Sequence, residues 1–352
     1  MTELLRVDPD HPDAAAVARA AERLKAGGLV AFPTETVYGL GAHALDRDAV
    51  RRLFAAKGRP ATDPLIVHVG GLDDAGVLVA GMPAAAQRLA SRFWPGPLTL
   101  VLRRSPVVPD EVTAGLATVA VRAPSHPVAR ALLDAAGIPI AAPSANLFSR
   151  PSPTRAEHVL QDLDGRIDIV VDGGPTPVGV ESTVLDLTGP EPIVLRPGAV
   201  TPEMLRAVLP GVRVRSAAAR QGVAAPSPGL LERHYAPRAP LTLYEGDADR
   251  VLARLAGDAR AEATGGRRVG LILADDDRLH AALHHLPPHI DVVTVGPAAN
   301  LAAVASRLYA ALRELDAAGV DMILARGFPA DTGLGLALQD RLRRAAGRIV
   351  RV

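Results

Sequence analysis

Residues 27–46 read GGLVAFPTETVYGLGAHALD. Gly27-Gly28 closes a helical pattern that begins at Pro12-Asp13. Leu29 to Phe32 form a short apolar run of strand length, which breaks at the polar turn Pro33-Thr34-Glu35-Thr36. The spacing predicts a helix again over 46–56. Helix, strand, polar turn and helix in that order indicate an α/β sheet, whose ligands gather at the carboxyl ends of strands.

Working outward, apolar runs predict strands at 65–69, 98–102, 118–121, 138–142, 167–171, 183–187 and 193–195. Helices fit 83–92, 126–136 and 155–163. Strands this closely spaced predict a mixed sheet rather than a purely parallel one. After about residue 200 the composition shifts, and the segment 210–240, with Pro, Gly, Ala and Arg and little periodicity, reads as a linker. It carries His234 and Tyr235, and an aromatic in a linker implies that it docks on a surface. From Leu241 strands at 241–244, 269–273, 291–295, 321–325 and 348–352 alternate with helices at 247–256, 276–285, 298–317 and 335–346. That alternation predicts a smaller doubly wound α/β domain.

The chain has 352 residues, 48% apolar and 22% charged, with a formal net charge of +1 and no cysteine. Length suggests about two domains. The absence of cysteine excludes disulfides, thiolate metal sites and a cysteine nucleophile. A charge near zero argues against non-specific coating of nucleic acid. The acidic, proline-broken N-terminus MTELLRVDPDHPD is unlike a signal peptide, and no apolar run approaches the roughly 18 residues of a membrane span, so a cytoplasmic protein is expected. Of the 39 basic residues only Lys25 and Lys57 are lysines. Where arginine is used almost everywhere, a lysine marks either chance or a point charge that a guanidinium cannot replace.

Several short motifs can carry chemistry. Lys57-Gly58-Arg59-Pro60 presents two cations on a glycine turn, suited to phosphate oxygens or to the end of a helix dipole. Arg122, at a strand end before Ala123-Pro124, can clamp a carboxylate or form a surface salt bridge. Pro143-Ser144-Ala145-Asn146 can bind a ligand or cap its own turn. Gly173-Gly174-Pro175 and Gly179-Val180-Glu181-Ser182-Thr183 can bring backbone amides to phosphate. The G-x-x-x-x-G-K-[ST], strand-linked G-x-G-x-x-G and H-E-x-x-H patterns are absent. His280, His284, His285 and His289 cluster, but Pro287-Pro288 interrupts them and no carboxylate is in register, so no metal site is expected.

As an ordered set, GGLVAFPTETVYGLGAHALD (27–46), KGRPATDPLIVH (57–68), WPGPLTLVL (94–102), VAVRAPSHP (119–127), PIAAPSAN (139–146), SPT (152–154), DGG with GVESTVLD (172–186) and LRPGAVT (195–201) resemble the YrdC/Sua5 family. SPGLLERHYAP (227–237) and GLGLALQDRLRRAA (333–346) are similar to its longer Sua5 type. The resemblance covers nearly the whole chain. It implies an α/β fold, a YrdC-like twisted mixed sheet with a concave cavity, plus a smaller C-terminal Rossmann-like α/β domain. The implied divisions are a catalytic domain at 1–205, a linker acting as a lid at 206–240 and the C-terminal domain at 241–352.

The family's reaction would join L-threonine, bicarbonate and ATP into L-threonylcarbamoyladenylate, releasing pyrophosphate and water, for the t6A37 modification of tRNAs reading ANN codons. Its implied partners are those substrates and a downstream threonylcarbamoyl-transferase complex, with weak tRNA contact allowed and no membrane. Mg²⁺ would accompany ATP, and no tightly bound organic cofactor is implied. By resemblance Thr36, His68, Arg122, Ala142 and Ser182 would bind threonine. Lys57, Arg59, Asp63, Thr118, Ser144, Ser152, Arg196 and Tyr235 would bind ATP, with Lys57 and Arg59 catalytic. The chain departs from the family pattern at Asp63, where asparagine is usual, at Phe148-Ser149, and at Leu231-Glu232. Two other readings compete: an RNA-binding module without catalysis, and a carbamoyl-transfer enzyme as in hydrogenase maturation, whose zinc-finger cysteines are missing here.

Overall fold

The computed structural model describes residues 1–215, 233–329 and 333–352. They form two compact units, the first of residues 1–148 and 152–215, the second of residues 149–151, 233–329 and 333–352.

The first unit opens with β1 (Glu3–Arg6), α1 (Ala14–Lys25), β2 (Val30–Pro33), β3 (Tyr38–His43), α2 (Arg47–Lys57), β4 (Ile66–His68), α3 (Leu72–Leu78) and α4 (Ala84–Phe93). It continues with β5 (Leu98–Arg103), α5 (Asp110–Thr113), β6 (Thr118–Arg122), α6 (Pro127–Ala136), β7 (Ile140–Ala141), α7 (Ala156–Leu163), β8 (Ile169–Asp172), β9 (Thr183–Asp186), β10 (Ile193–Arg196), α8 (Pro202–Val208) and β11 (Arg213–Val214). The strands join in one sheet of order β1-β8-β2-β3-β7-β4-β6-β5-β9-β10-β11. It is mixed, as expected: β4 and β6 run parallel, while β7 lies antiparallel between β3 and β4.

Strand periodicity sorts the core onto two faces. Leu29 and Ala31 join the larger cluster with Leu53, Leu65, Leu100 and Val121. Val30 and Phe32 face the other way, against Leu24 of α1 and Leu132 of α6. Ile66, Ala120, Val101, Val184 and Leu195 make a small separate cluster. Alternation puts His68 on the face of Ile66, and Thr118 and Arg122 on the face of Ala120.

Local chemistry sets the ends of the helices that matter for the site. Asp46 caps α2 by accepting from the amides of Asp48 and Ala49, and Gly58 ends it in the left-handed region at φ 61°. His126 caps α6, with Pro127 in its first turn.

The second unit holds β12 (Leu241–Glu245), α9 (Ala248–Thr264), β13 (Val269–Leu273), β14 (Ile290–Thr294), α10 (Leu301–Ala318), β15 (Met322–Arg326), α11 (Leu334–Ala345) and β16 (Arg348–Arg351). The sheet is wholly parallel, in the order β14-β13-β15-β12-β16.

The structure corrects several local expectations. The helix expected at 276–285 is two short 3-10 turns, Asp276–Leu279 and Ala281–Leu283, because His280 between them is extended. His280 and His284 therefore do not share a helix face. β1, β3, α3, α5, α8 and β11 form where no element was expected. The stretch read as a linker, 206–240, begins inside α8 and includes β11, which pairs parallel with β10. Its residues 216–232, with most of the SPGLLERHYAP motif, lie outside the described residues.

Candidate active site

Arg122 ends β6 directly opposite His68, the last residue of β4. Its guanidinium donates through Nη1 to Thr36 Oγ1 at 3.0 Å and through Nε to the Gly96 carbonyl at 3.3 Å. Nη2 lies 2.7 Å from Glu35 Oε1. Both partners are buried, so the pair is not the surface salt bridge that the sequence also allowed. The Thr34 hydroxyl builds the turn beneath them, donating to the Val37 carbonyl at 2.7 Å and accepting from the Thr36 amide at 3.2 Å. The Ser125 amide donates to Glu35 Oε2 at 3.2 Å.

His68 is buried edge-on to Phe32. Burial, and then the Arg122 charge, push its pKa down to about 3, so the ring is neutral at physiological pH. Ser182 shares a 2.8 Å hydrogen bond with Thr99 and accepts from Arg196 Nη2 at 3.1 Å. Ala142 follows β7 and its amide donates to the Ile66 carbonyl. Thr36, Arg122 and His68 thus come together, and Ser182 is joined to Arg196.

Lys57, in the last turn of α2, sends Nζ to the Ser144 carbonyl at 2.6 Å and to the Asn146 carbonyl. It therefore ties the Pro143–Asn146 turn to the helix end. Arg59 wraps its own loop, donating to the carbonyls of Asp63 at 3.2 Å and Pro64 at 2.8 Å, while Nη2 lies 2.9 Å from Asp63 Oδ2. The departure at Asp63 is thereby accommodated: Arg59 faces the carboxylate. Burial raises the Asp63 pKa, opposed by the charges of Arg59, Lys57 and Arg196. Ser152 donates to Glu181 Oε1 at 2.5 Å. Thr118 begins the strand that Arg122 ends, so the two Cα atoms lie about 13 Å apart along β6.

Tyr235 belongs to the second unit. Its ring packs on Tyr309 at 5.6 Å and His234 at 4.1 Å, with the Arg341 guanidinium 5.4 Å from its centroid. Its backbone adopts φ 62°, a left-handed conformation uncommon outside glycine.

Glu35, Glu181 and Thr99 are not among the side chains that the sequence marks for the site. The two glutamates adjoin Thr36 and Ser182 inside quoted motifs, and a carboxylate in such an apolar stretch was the available signal. Glu35 Oε1, Arg122 Nη2, His68 Nδ1 and both Asp63 carboxylate oxygens are buried yet complete no hydrogen bond. Buried polar atoms are almost always satisfied: Glu35 Oε1 and Arg122 Nη2 face each other as an ion pair and Asp63 Oδ2 faces Arg59, while His68 Nδ1 and Asp63 Oδ1 have room for a further partner. Among the described residues no three His, Asp or Glu converge to hold a metal ion.

Residues 22–198 match the Sua5/YciO/YrdC family described as "Telomere recombination", and residues 200–347 match the "Threonylcarbamoyl-AMP synthase, C-terminal domain". The chain is 47% identical over 338 residues to the threonylcarbamoyl-AMP synthase of Bacillus subtilis, covering 95% of this chain and 94% of the relative. It is 46% identical to that of Pyrococcus abyssi, covering 95% of each. The crystal structure of P. abyssi Sua5 complexed with L-threonine superposes with a TM-score of 0.91 at 43% identity, covering 100% of both chains. No helix among the described residues is long and apolar enough to cross a membrane.

Proposed function

Since the chain belongs to the Sua5/YrdC family and is a threonylcarbamoyl-AMP synthase, we propose that its first unit binds L-threonine around Arg122 and ATP around Lys57, Arg59 and Arg196. The observation carrying this reading is the buried cluster of Arg122 with Glu35, Thr36 and His68.

The threonine amine attacks the carbon of bicarbonate and forms a carbamate with loss of water. A carbamate oxygen then attacks the α-phosphorus of ATP, and pyrophosphate leaves. Two anions must meet, so cations dominate the catalytic demand. Arg122 takes the threonine carboxylate, with Thr36, the neutral His68, Ala142 and Ser182 around the substrate. Lys57, Arg59 and Arg196 face the phosphates, aided by Ser144 and Ser152. Thr118, at the far end of β6, contacts the nucleotide, and Asp63 holds Arg59 in place. Held together, the reactants meet without the entropic cost of a bimolecular encounter. Mg²⁺, carried in with ATP, would neutralise charge on the leaving pyrophosphate.

On this reading catalysis resides in 1–205, the product serves t6A37 of ANN-decoding tRNAs through a transferase complex, and the protein works in the cytoplasm. The test is pyrophosphate release by the purified chain with ATP, threonine and bicarbonate. Release must need both threonine and bicarbonate, and mass spectrometry must find the threonylcarbamoyl adenylate. Release without threonine refutes the reading.

A further inference from the structure

At the carboxylate clamp of the proposed threonine site one buried cation, Arg122, and one buried carboxylate, Glu35, lie 2.7 Å apart, while Arg196, which reaches Ser182, is given to the ATP phosphates. Glu35 is 6% exposed and Arg122 3%. The facing atoms, Glu35 Oε1 and Arg122 Nη2, complete no hydrogen bond, so each keeps a direction for a substrate group. The carboxylate is held in place, since the Ser125 amide donates to its other oxygen.

Two imidazoles also stand by the pair. His68 stands beside Arg122 and is neutral for the reasons given above. His126 lies near Glu35, burial lowers its pKa, and its Nδ1 accepts from the Val128 amide.

We infer that Glu35 determines specificity: it brings the charge of the Arg122 clamp to zero, so that the clamp takes a zwitterionic amino acid and rejects an anion of the same shape. This inference rests on Arg122 being the carboxylate clamp. A zwitterion leaves the Arg122–Glu35 clamp uncharged overall, whereas an α-hydroxy acid leaves one uncompensated negative charge beside it, and such charges are costly away from water. Without the Glu35 charge the balance reverses, and an anion becomes the matched ligand. Specificity then comes from the repulsive element as much as from the clamp.

Calorimetric titration of the full chain with L-threonine, with (2S,3R)-2,3-dihydroxybutanoate and with threonine amide tests this. The wild type should bind threonine at least about tenfold tighter than the hydroxy acid, the scale expected of one buried charge mismatch. Glu35→Gln keeps an acceptor for the Ser125 amide and should narrow that ratio by about tenfold or invert it. Glu35→Asp keeps the charge and should keep the preference. A wild-type preference below about twofold overturns the inference whether or not the variants fold. So does a Glu35→Gln ratio equal to that of the wild type. Threonine amide should bind poorly to every form, and if it binds the wild type as well as threonine does, the Arg122 reading itself fails.

Discussion

Lys57→Met removes an ammonium that is 2% exposed and donates to two backbone carbonyls, those of Ser144 and Asn146. A hydrogen bond to a charged group contributes about 1.5–3 kcal/mol, so the pair sets a range of about 3–6 kcal/mol. The lower end applies, because methionine also relieves the desolvation of the buried charge. For a unit of this size, about 3 kcal/mol lowers the midpoint by about 6–12 °C. Arginine should not restore it. The two carbonyls converge on one point, while a guanidinium is wider and spreads its donors in a fixed fork. Overpacking a filled site costs about 1–3 kcal/mol. Lys57→Arg should therefore recover at most part of the lost stability and little of the ATP affinity, because the turn bearing Ser144 moves with its anchor. Scanning calorimetry with and without ATP measures both effects. A Lys57→Arg protein with wild-type midpoint and wild-type ATP affinity would refute the point-charge argument.

Arg122→Ala should lower kcat/KM for threonine by about 30- to 150-fold, equivalent to about 2–3 kcal/mol, and steady-state kinetics should show the KM for ATP nearly unchanged. His68 gives a pH signature. Its folded pKa, about 3, lies below the 6.5 of the free side chain, so between those values the unfolded chain binds more protons. The His68 contribution is therefore complete above pH 6.5 and lost at up to about 1.4 kcal/mol per unit as pH falls toward 3; denaturant melts of His68→Gln should lack that part of the slope. Gly198→Ala places a Cβ 2.5 Å from the Thr183 amide and 2.6 Å from the Glu181 carbonyl. Since backbone cannot swing aside, it should displace Ser182, cost more than about 2 kcal/mol in urea melts and reduce turnover.

What could be read from the sequence follows from the range of the forces involved. The strands around Phe32, Leu100 and Val121 and the helix ending at Lys57 announce themselves through local periodicity and caps. β3 (Tyr38–His43) does not, because its two glycines resemble turn residues; Gly41 is needed where a Cβ would meet Ile140 and Phe32 at 2.9 Å. The missing helix at 276–285 failed for a local reason that composition hides, as the Asp277 carboxylate accepts from the Ala274 amide and fixes a tight turn. In the site, motif order placed Thr36, Arg122 and Lys57, but not what they touch. Glu35 sat in plain view beside Thr36, yet its charge has meaning only once β6 brings Arg122 to it from far along the chain. Lys57 shows the opposite case. Its rarity among arginines raises the point-charge reading, and in the structure its Nζ donates to two converging carbonyls, those of Ser144 and Asn146, a geometry that suits a compact ammonium. Composition can thus mark a buried point charge, whereas the charge balance of a site emerges only from long-range pairing.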